Sequence, residues 1–102
     1  MVKKITHHSV DFSVVIPTYN RSEFLKSAIL SVLRQRGVKL EIVICDDAST
    51  DETGTIVRSF KDGRIKYYRN STRRGTSMNF LNCFKYARGN YIFNLGDDDL
   101  IS

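Results

Sequence analysis

No apolar run in this 102-residue chain approaches the ~20 residues needed to cross a bilayer. The start, Met1-Val2-Lys3-Lys4-Ile5-Thr6-His7-His8, carries basic residues without an apolar segment behind them, so it is not a secretory signal. No period recurs, which excludes a repeat array. Cysteine is scarce. Cys45 and Cys83 lie far apart, each in an apolar segment and without C-x-x-C spacing. They read as buried, reduced thiols of a cytosolic protein rather than as a disulfide or a metal site. The only histidines, His7 and His8, read as tail residues rather than metal ligands. Glycine-rich phosphate cradles are missing too: neither G-x-G-x-x-G nor G-x-x-x-x-G-K-[ST] occurs.

Hydrophobic residues make up 41% and charged residues 26% of the chain, which excludes disorder and fits a small soluble domain or part of a larger one. The net charge is +5. Such a balance suits nucleic acid, an anionic surface or a phosphorylated small molecule. The basic residues are scattered apart from Arg73-Arg74, with no basic helix and no aromatic-basic stripe, so nucleic acid is not an expected partner.

Residues 1–11 read as a poorly ordered lead-in. The first strand is expected at Phe12-Ser13-Val14-Val15-Ile16, apolar enough to be covered on both faces and ended by Pro17. The loop Thr18-Tyr19-Asn20-Arg21 leads to Ser22 as N-cap of a first helix. That helix carries Phe24, Leu25, Ala28, Ile29, Val32 and Leu33 on one face. Arg34-Gln35-Arg36 close it, and Gly37 follows. A second strand, Leu40–Cys45, runs into Asp46-Asp47. Ser49-Thr50-Asp51-Glu52 has the spacing of a capping box, opening a short helix to Phe60 with Ile56, Val57 and Phe60 inward. Asp62-Gly63 marks a turn. Arg64–Arg69 then alternates charged and apolar residues, as an edge strand does. A third helix is expected from Thr76 or Ser77, with Phe80, Leu81, Phe84 and Ala87 inward and Gly89 at its end. Tyr91-Ile92-Phe93-Asn94-Leu95 is the fourth strand, followed by Gly96 and the acids Asp97-Asp98-Asp99.

Strands alternating with helices imply parallel βαβ units and right-handed crossovers. In such a sheet every strand ends on one rim, where ligands bind. Three segments reach that rim here: Thr18-Tyr19-Asn20, Asp46-Asp47 and Asp97-Asp98-Asp99. The acidic run reads either as a solvated turn or as ligands for a hard divalent cation. Acids facing a phosphorylated ligand make sense only with a cation between them.

Three motifs, Ser13-Val14-Val15-Ile16-Pro17-Thr18-Tyr19-Asn20, Ile44-Cys45-Asp46-Asp47-Ala48-Ser49-Thr50-Asp51, and Gly89-Asn90-Tyr91-Ile92 leading to Asp97-Asp98-Asp99, resemble glycosyltransferase family 2. The resemblance spans residues 12–102 in order and spacing, and Gly75, Ser77, Asn79 and Asn82 are similar to a subgroup. It implies the Rossmann-like, nucleotide-binding half of a GT-A fold. That half is a three-layer α/β/α domain with a mainly parallel sheet of order 3-2-1-4, truncated at its C-terminus. The implied activity is inverting transfer of a sugar from a nucleotide-diphosphate donor, UDP most simply, to a saccharide, lipid or protein acceptor. The resemblance also implies that Pro17, Thr18, Tyr19 and Asn20 border the nucleobase, with Tyr19 as a stacking surface. Asp47 accepts a base N–H, as an ionised carboxylate can, and Arg74 and Asp97 serve the donor. By the same resemblance Asp98 and Asp99 would hold Mn²⁺ or Mg²⁺. Two departures stand out. Gly96 occupies the usual first position of D-x-D, and the catalytic base is expected beyond Ser102. A cytoplasmic location is expected, with the inner face of a membrane as one option, and the last strand, too apolar for an edge, is expected to pair with a further strand from a missing C-terminal part or from another copy in a homo-oligomer. Two other readings stay open. One is a non-catalytic nucleotide-binding or interaction module of the same fold. The other is a phosphoacceptor-type α/β protein, which would want a lysine between Arg88 and Ser102 where none exists.

Overall fold

A computed structural model describes residues 2–3 and 10–96. His7, His8, Asp97, Asp98 and Asp99 lie outside the described residues. The elements are β1 (Val2–Lys3), β2 (Phe12–Thr18), α1 (Ser22–Leu33), β3 (Leu40–Asp46), α2 (Thr53–Ser59), β4 (Ile65–Arg69), α3 (Thr76–Tyr86) and β5 (Tyr91–Asn94). The sheet order is β1-β5-β2-β3-β4. β2, β3, β4 and β5 are mutually parallel, so the expected order of 3-2-1-4 among the four main strands is observed.

Side-chain alternation explains the three layers. Val14, Ile16, Ile42 and Ile44 point to one face, where Leu25, Ala28, Ile29 and Val32 of α1 and Val57 of α2 cover them. Val15, Val43, Cys45 and Ile92 point to the other, beneath Cys83 and Ala87 on and just after α3. Coverage on both sides leaves all seven residues of β3 buried. Both cysteines are buried and free.

Several boundaries differ from expectation for identifiable reasons. β2 does not stop at Pro17 but runs on to Thr18. The Val15 carbonyl accepts from Leu95 N–H on the β5 side. Pro17, two residues on, faces that same side after β5 has ended at Asn94, so no ladder donor is required of it. Ser22 is not the N-cap of α1: Arg21 holds that position, and Ser22 is the buried first helical residue. Arg34-Gln35-Arg36 lie past the helix, and Gly37 has φ +80°. Phe24 is exposed. The expected capping box does not form, because α2 starts four residues after Ser49, at Thr53. The Ser49 hydroxyl instead accepts Asn20 N–H, and Asp51 accepts Thr53 N–H.

On α3 the buried stripe is Asn79, Cys83 and Ala87, while Leu81 is 55% exposed. The inward face is thus rotated from the one hydrophobicity suggests. A hydrogen bond to Cys45 O turns Asn79 in. The last strand is not the sheet edge, and the lead-in is not wholly irregular. Val2 and Lys3 pair antiparallel with Ile92 and Tyr91, covering two residues of the edge expected to mediate oligomers. Phe93 and Leu95 remain exposed and line an apolar groove with Phe12, Val32 and Val38. No helix of the described residues is long and apolar enough to cross a membrane.

Candidate functional site

The C-terminal ends of β2 and β3 open onto one cleft, lined by Pro17, Thr18, Tyr19, Asp47, Arg73, Thr76 and Asn79. Of the rim segments expected to meet there, the structure brings together those of β2 and β3. β5 leaves the sheet beside β2, where Leu95 N–H donates to Val15 O.

Asp47 organises the cleft. It is 2% exposed, and its backbone N–H is held by Thr18 O at 2.9 Å. Its carboxylate takes four donors: Asn70 Nδ2 at 2.9 Å, Arg74 N–H at 2.8 Å, Gly75 N–H at 2.9 Å and Arg73 Nε at 3.3 Å. Burial pushes the Asp47 carboxyl up. The hydrogen bonds from Asn70, Arg74, Gly75 and Arg73 outweigh that and hold it below the ordinary carboxylate value. Gly75, with φ +97°, precedes α3 and supplies no side-chain cap. The Asp47 carboxylate, just past β3, holds the two N–H groups that precede α3 and sits where a helix dipole favours an anion.

The residue expected to receive a base N–H is therefore also a fastener of the fold. Asn70 and Asn79 extend it. Asn70 Nδ2 also donates to Asn79 Oδ1 at 3.1 Å, and Asn79 Nδ2 donates to Cys45 O at 2.7 Å. This buried amide relay ties β3, the loop after β4, and α3 together, and it is the reason Asn79 faces inward. The sequence signal for it was the spacing Asn79, Cys83, Ala87, i, i+4, i+8.

Thr18 is 2% exposed, and its hydroxyl oxygen has no hydrogen-bond partner among the described residues. A buried hydroxyl left unpaired is costly, and this one lines the cleft. Tyr19 presents its ring there, with the Arg73 guanidinium carbon 3.7 Å from the ring centroid. Asn20 turns away from the cleft. With φ +50°, it accepts Thr50 N–H and Asp51 N–H at its Oδ1 and donates from Nδ2 to Thr50 Oγ1. It clamps two rim loops to each other. Arg74 gives Asp47 its backbone N–H, and its side chain is exposed at the rim.

Asp46 points to the opposite face. It accepts Tyr67 OH and Ser49 N–H, and lies 3.9 Å from Arg69 Nε. Burial and this carboxylate push the Tyr67 phenol far above its usual range. Among the described residues no cluster of three or more His, Cys, Asp or Glu could hold a metal ion. Asp47 in particular has its acceptor positions filled.

A sequence model described as glycosyl transferase family 2 matches residues 13–102. The chain belongs to that family. Among relatives, the UDP-Glc:alpha-D-GlcNAc-diphosphoundecaprenol beta-1,3-glucosyltransferase WfgD of Escherichia coli is 36% identical over 86% of this chain and 35% of its own length. The abequosyltransferase RfbV of Salmonella typhimurium is 38% identical over 88% of this chain and 28% of its own. The chain thus spans about a third of the length of the relatives it matches. Among solved structures, S. aureus TarS 1-349 in complex with UDP superposes with a TM-score of 0.79 at 29% identity, over 87% of this chain and 28% of that one. The mannosyltransferase PcManGT from Pyrobaculum calidifontis, in complex with GDP-Man and Mn²⁺, gives 0.67 at 27% identity over 83% of this chain and 28% of that one. As a family 2 member with these neighbours, the chain has the α/β GT-A architecture.

Proposed function

We propose that this family 2 chain binds the nucleoside-diphosphate part of a sugar donor, with uracil as the base, and that the protein transfers the sugar with inversion to an acceptor hydroxyl. The cleft of Thr18, Tyr19 and Asp47 carries this reading. Uracil offers a flat face for Tyr19, a ring N–H for the acceptor-only Asp47, and carbonyls for the Thr18 hydroxyl. The UDP in the TarS structure and the UDP-Glc in the name of WfgD support the choice of base. Pro17 forms the wall behind the base, and Arg74, exposed at the rim, reaches the diphosphate.

Asp98 and Asp99 are assigned to a divalent cation, Mn²⁺ or Mg²⁺, and Asp97 to the donor; all three follow Gly96 in the chain as it leaves the rim beside β2. The cation's chemistry there is neutralisation of charge on the diphosphate leaving group. A general base must lie within hydrogen-bond reach of the acceptor hydroxyl. Asp46 and Asp47 are both buried and engaged, so neither serves as that base.

Calorimetric titration with UDP, with and without Mn²⁺, tests the proposal on the chain, on Tyr19→Ala and on Asp98→Ala. Binding that needs metal and is weakened by both substitutions is expected. A folded sample that binds no UDP under either condition sinks it.

A further inference from the structure

The Arg73 guanidinium covers the Tyr19 ring in the cleft, its carbon 3.7 Å from the ring centroid, so a base stacking on that face must take its place. Three of the four donors to Asp47 are fixed. Arg74 and Gly75 use backbone N–H groups, and Asn70 is braced by Asn79. The fourth, Arg73, reaches in from a side chain 48% exposed and makes the longest contact, 3.3 Å. Its guanidinium lies on the Tyr19 ring at 3.7 Å. A guanidinium is flat and bears N–H donors. It offers the ring a face and Asp47 an N–H, the same two things a uracil would offer.

We infer that Arg73 is a built-in stand-in for the nucleobase, holding Tyr19 and Asp47 in their binding arrangement and leaving both when a base enters. This rests on the proposed nucleotide site. Two consequences follow. Apparent affinity is reduced by the fraction of molecules in which Arg73 occupies the cleft. The incoming base must also replace the N–H that Asp47 loses, so a base without a ring N–H is disfavoured by the exchange itself.

The test uses uridine, which has no phosphates for a displaced arginine to grip. Arg73→Ala is expected to bind uridine about fivefold more tightly than the parent, the combined strength of one exposed cation–π contact and one exposed ion pair. Salt screens that ion pair, so parent affinity for uridine should rise with ionic strength while that of Arg73→Ala stays level. In the parent, the Arg73 Nε–H NMR signal should move toward its solvent-exposed position as uridine is added. N3-methyluridine should bind neither protein measurably. Uridine binding that Arg73→Ala weakens or leaves unchanged overturns the exchange and leaves the nucleotide site standing. Uridine binding to neither folded protein overturns the exchange, and the nucleotide site falls with it only if UDP with Mn²⁺ also fails to bind.

Discussion

Each end of the sheet holds a buried carboxylate, and the two differ in what surrounds them. At the N-terminal end Glu41, 3% exposed, accepts Ser13 Oγ–H at 2.6 Å and Arg88 N–H at 2.7 Å, while Ser13 Oγ accepts Gly89 N–H at 2.7 Å. The chain packs so tightly there that a Cβ on Gly89 would lie 2.8 Å from Phe12 C, Ser13 N and Ser13 Oγ. At the C-terminal end Asp47 fastens β3 to α3 in a similar way. Beside it, however, are a cleft, the Thr18 hydroxyl, which has no hydrogen-bond partner among the described residues, and the half-exposed Arg73 side chain. Both ends use a buried carboxylate to lock α3 to the sheet. Of the two, only the C-terminal end sets a buried hydroxyl with no partner among the described residues beside a cleft.

The comparison breaks hardest at Asp47. Asp47→Ala strands Asn70 and two backbone N–H groups and is expected to cost about 3–4 kcal/mol. It should also abolish UDP binding. A urea midpoint within error of the parent would show that Asp47 is not the fastener described. Gly89→Ala should come next, at about 2–3 kcal/mol, because backbone as well as the Ser13 hydroxyl must shift. UDP affinity of its folded fraction should be unchanged; a large loss of affinity would mean that the two ends are coupled.

Thr18→Val sharpens the contrast with a trade of opposite signs. Removing an unpaired buried hydroxyl should raise stability by about 1 kcal/mol, and UDP affinity should fall about fivefold for the loss of one hydrogen bond. Lower stability would show that the hydroxyl already has a partner in solution.

The smallest effect is in acid. Asp47 titrates below its ordinary value of 3.8 when folded, so its contribution is complete above that value. It is lost as pH falls through the lowered folded value. Urea midpoints for the parent and Asp47→Asn should therefore differ most at neutral pH and converge at the acid extreme. A gap that widened as pH fell would reverse the sign argued here.

Much of the fold could be read in the chain because hydrophobic pattern is local. The Val14-Val15-Ile16 and Ile42-Val43-Ile44 runs mark strands covered on both faces, and the charge alternation of Ile65–Arg69 marks the edge observed. The missed features depend on partners distant in sequence. Leu81 reads as core by hydrophobicity alone, yet Asn79 turns inward because Cys45 O, 34 residues away, needs a donor. Ser49 reads as a cap by spacing, but Asn20 claims its hydroxyl. The site was legible in the same uneven way. Pro17, Thr18, Tyr19 and Asp47 line one cleft, whereas Asn20 ties the rim loops together and the place of Arg73 on the Tyr19 ring depends on a contact between residues far apart in the chain.

The sequence by itself determined the order of strands and helices, the layering and the rim to which the polar segments run. Periodicity and turn chemistry act over a few residues, and parallel crossovers have one hand. Only the tertiary structure decided which polar groups pair. It set Asp46 on one face and Asp47 on the other. It closed Asp47 with donors from the loop after β4, and it laid Arg73 on Tyr19. Those choices depend on distances between side chains far apart in the chain, and burial makes each unpaired group costly enough to force them.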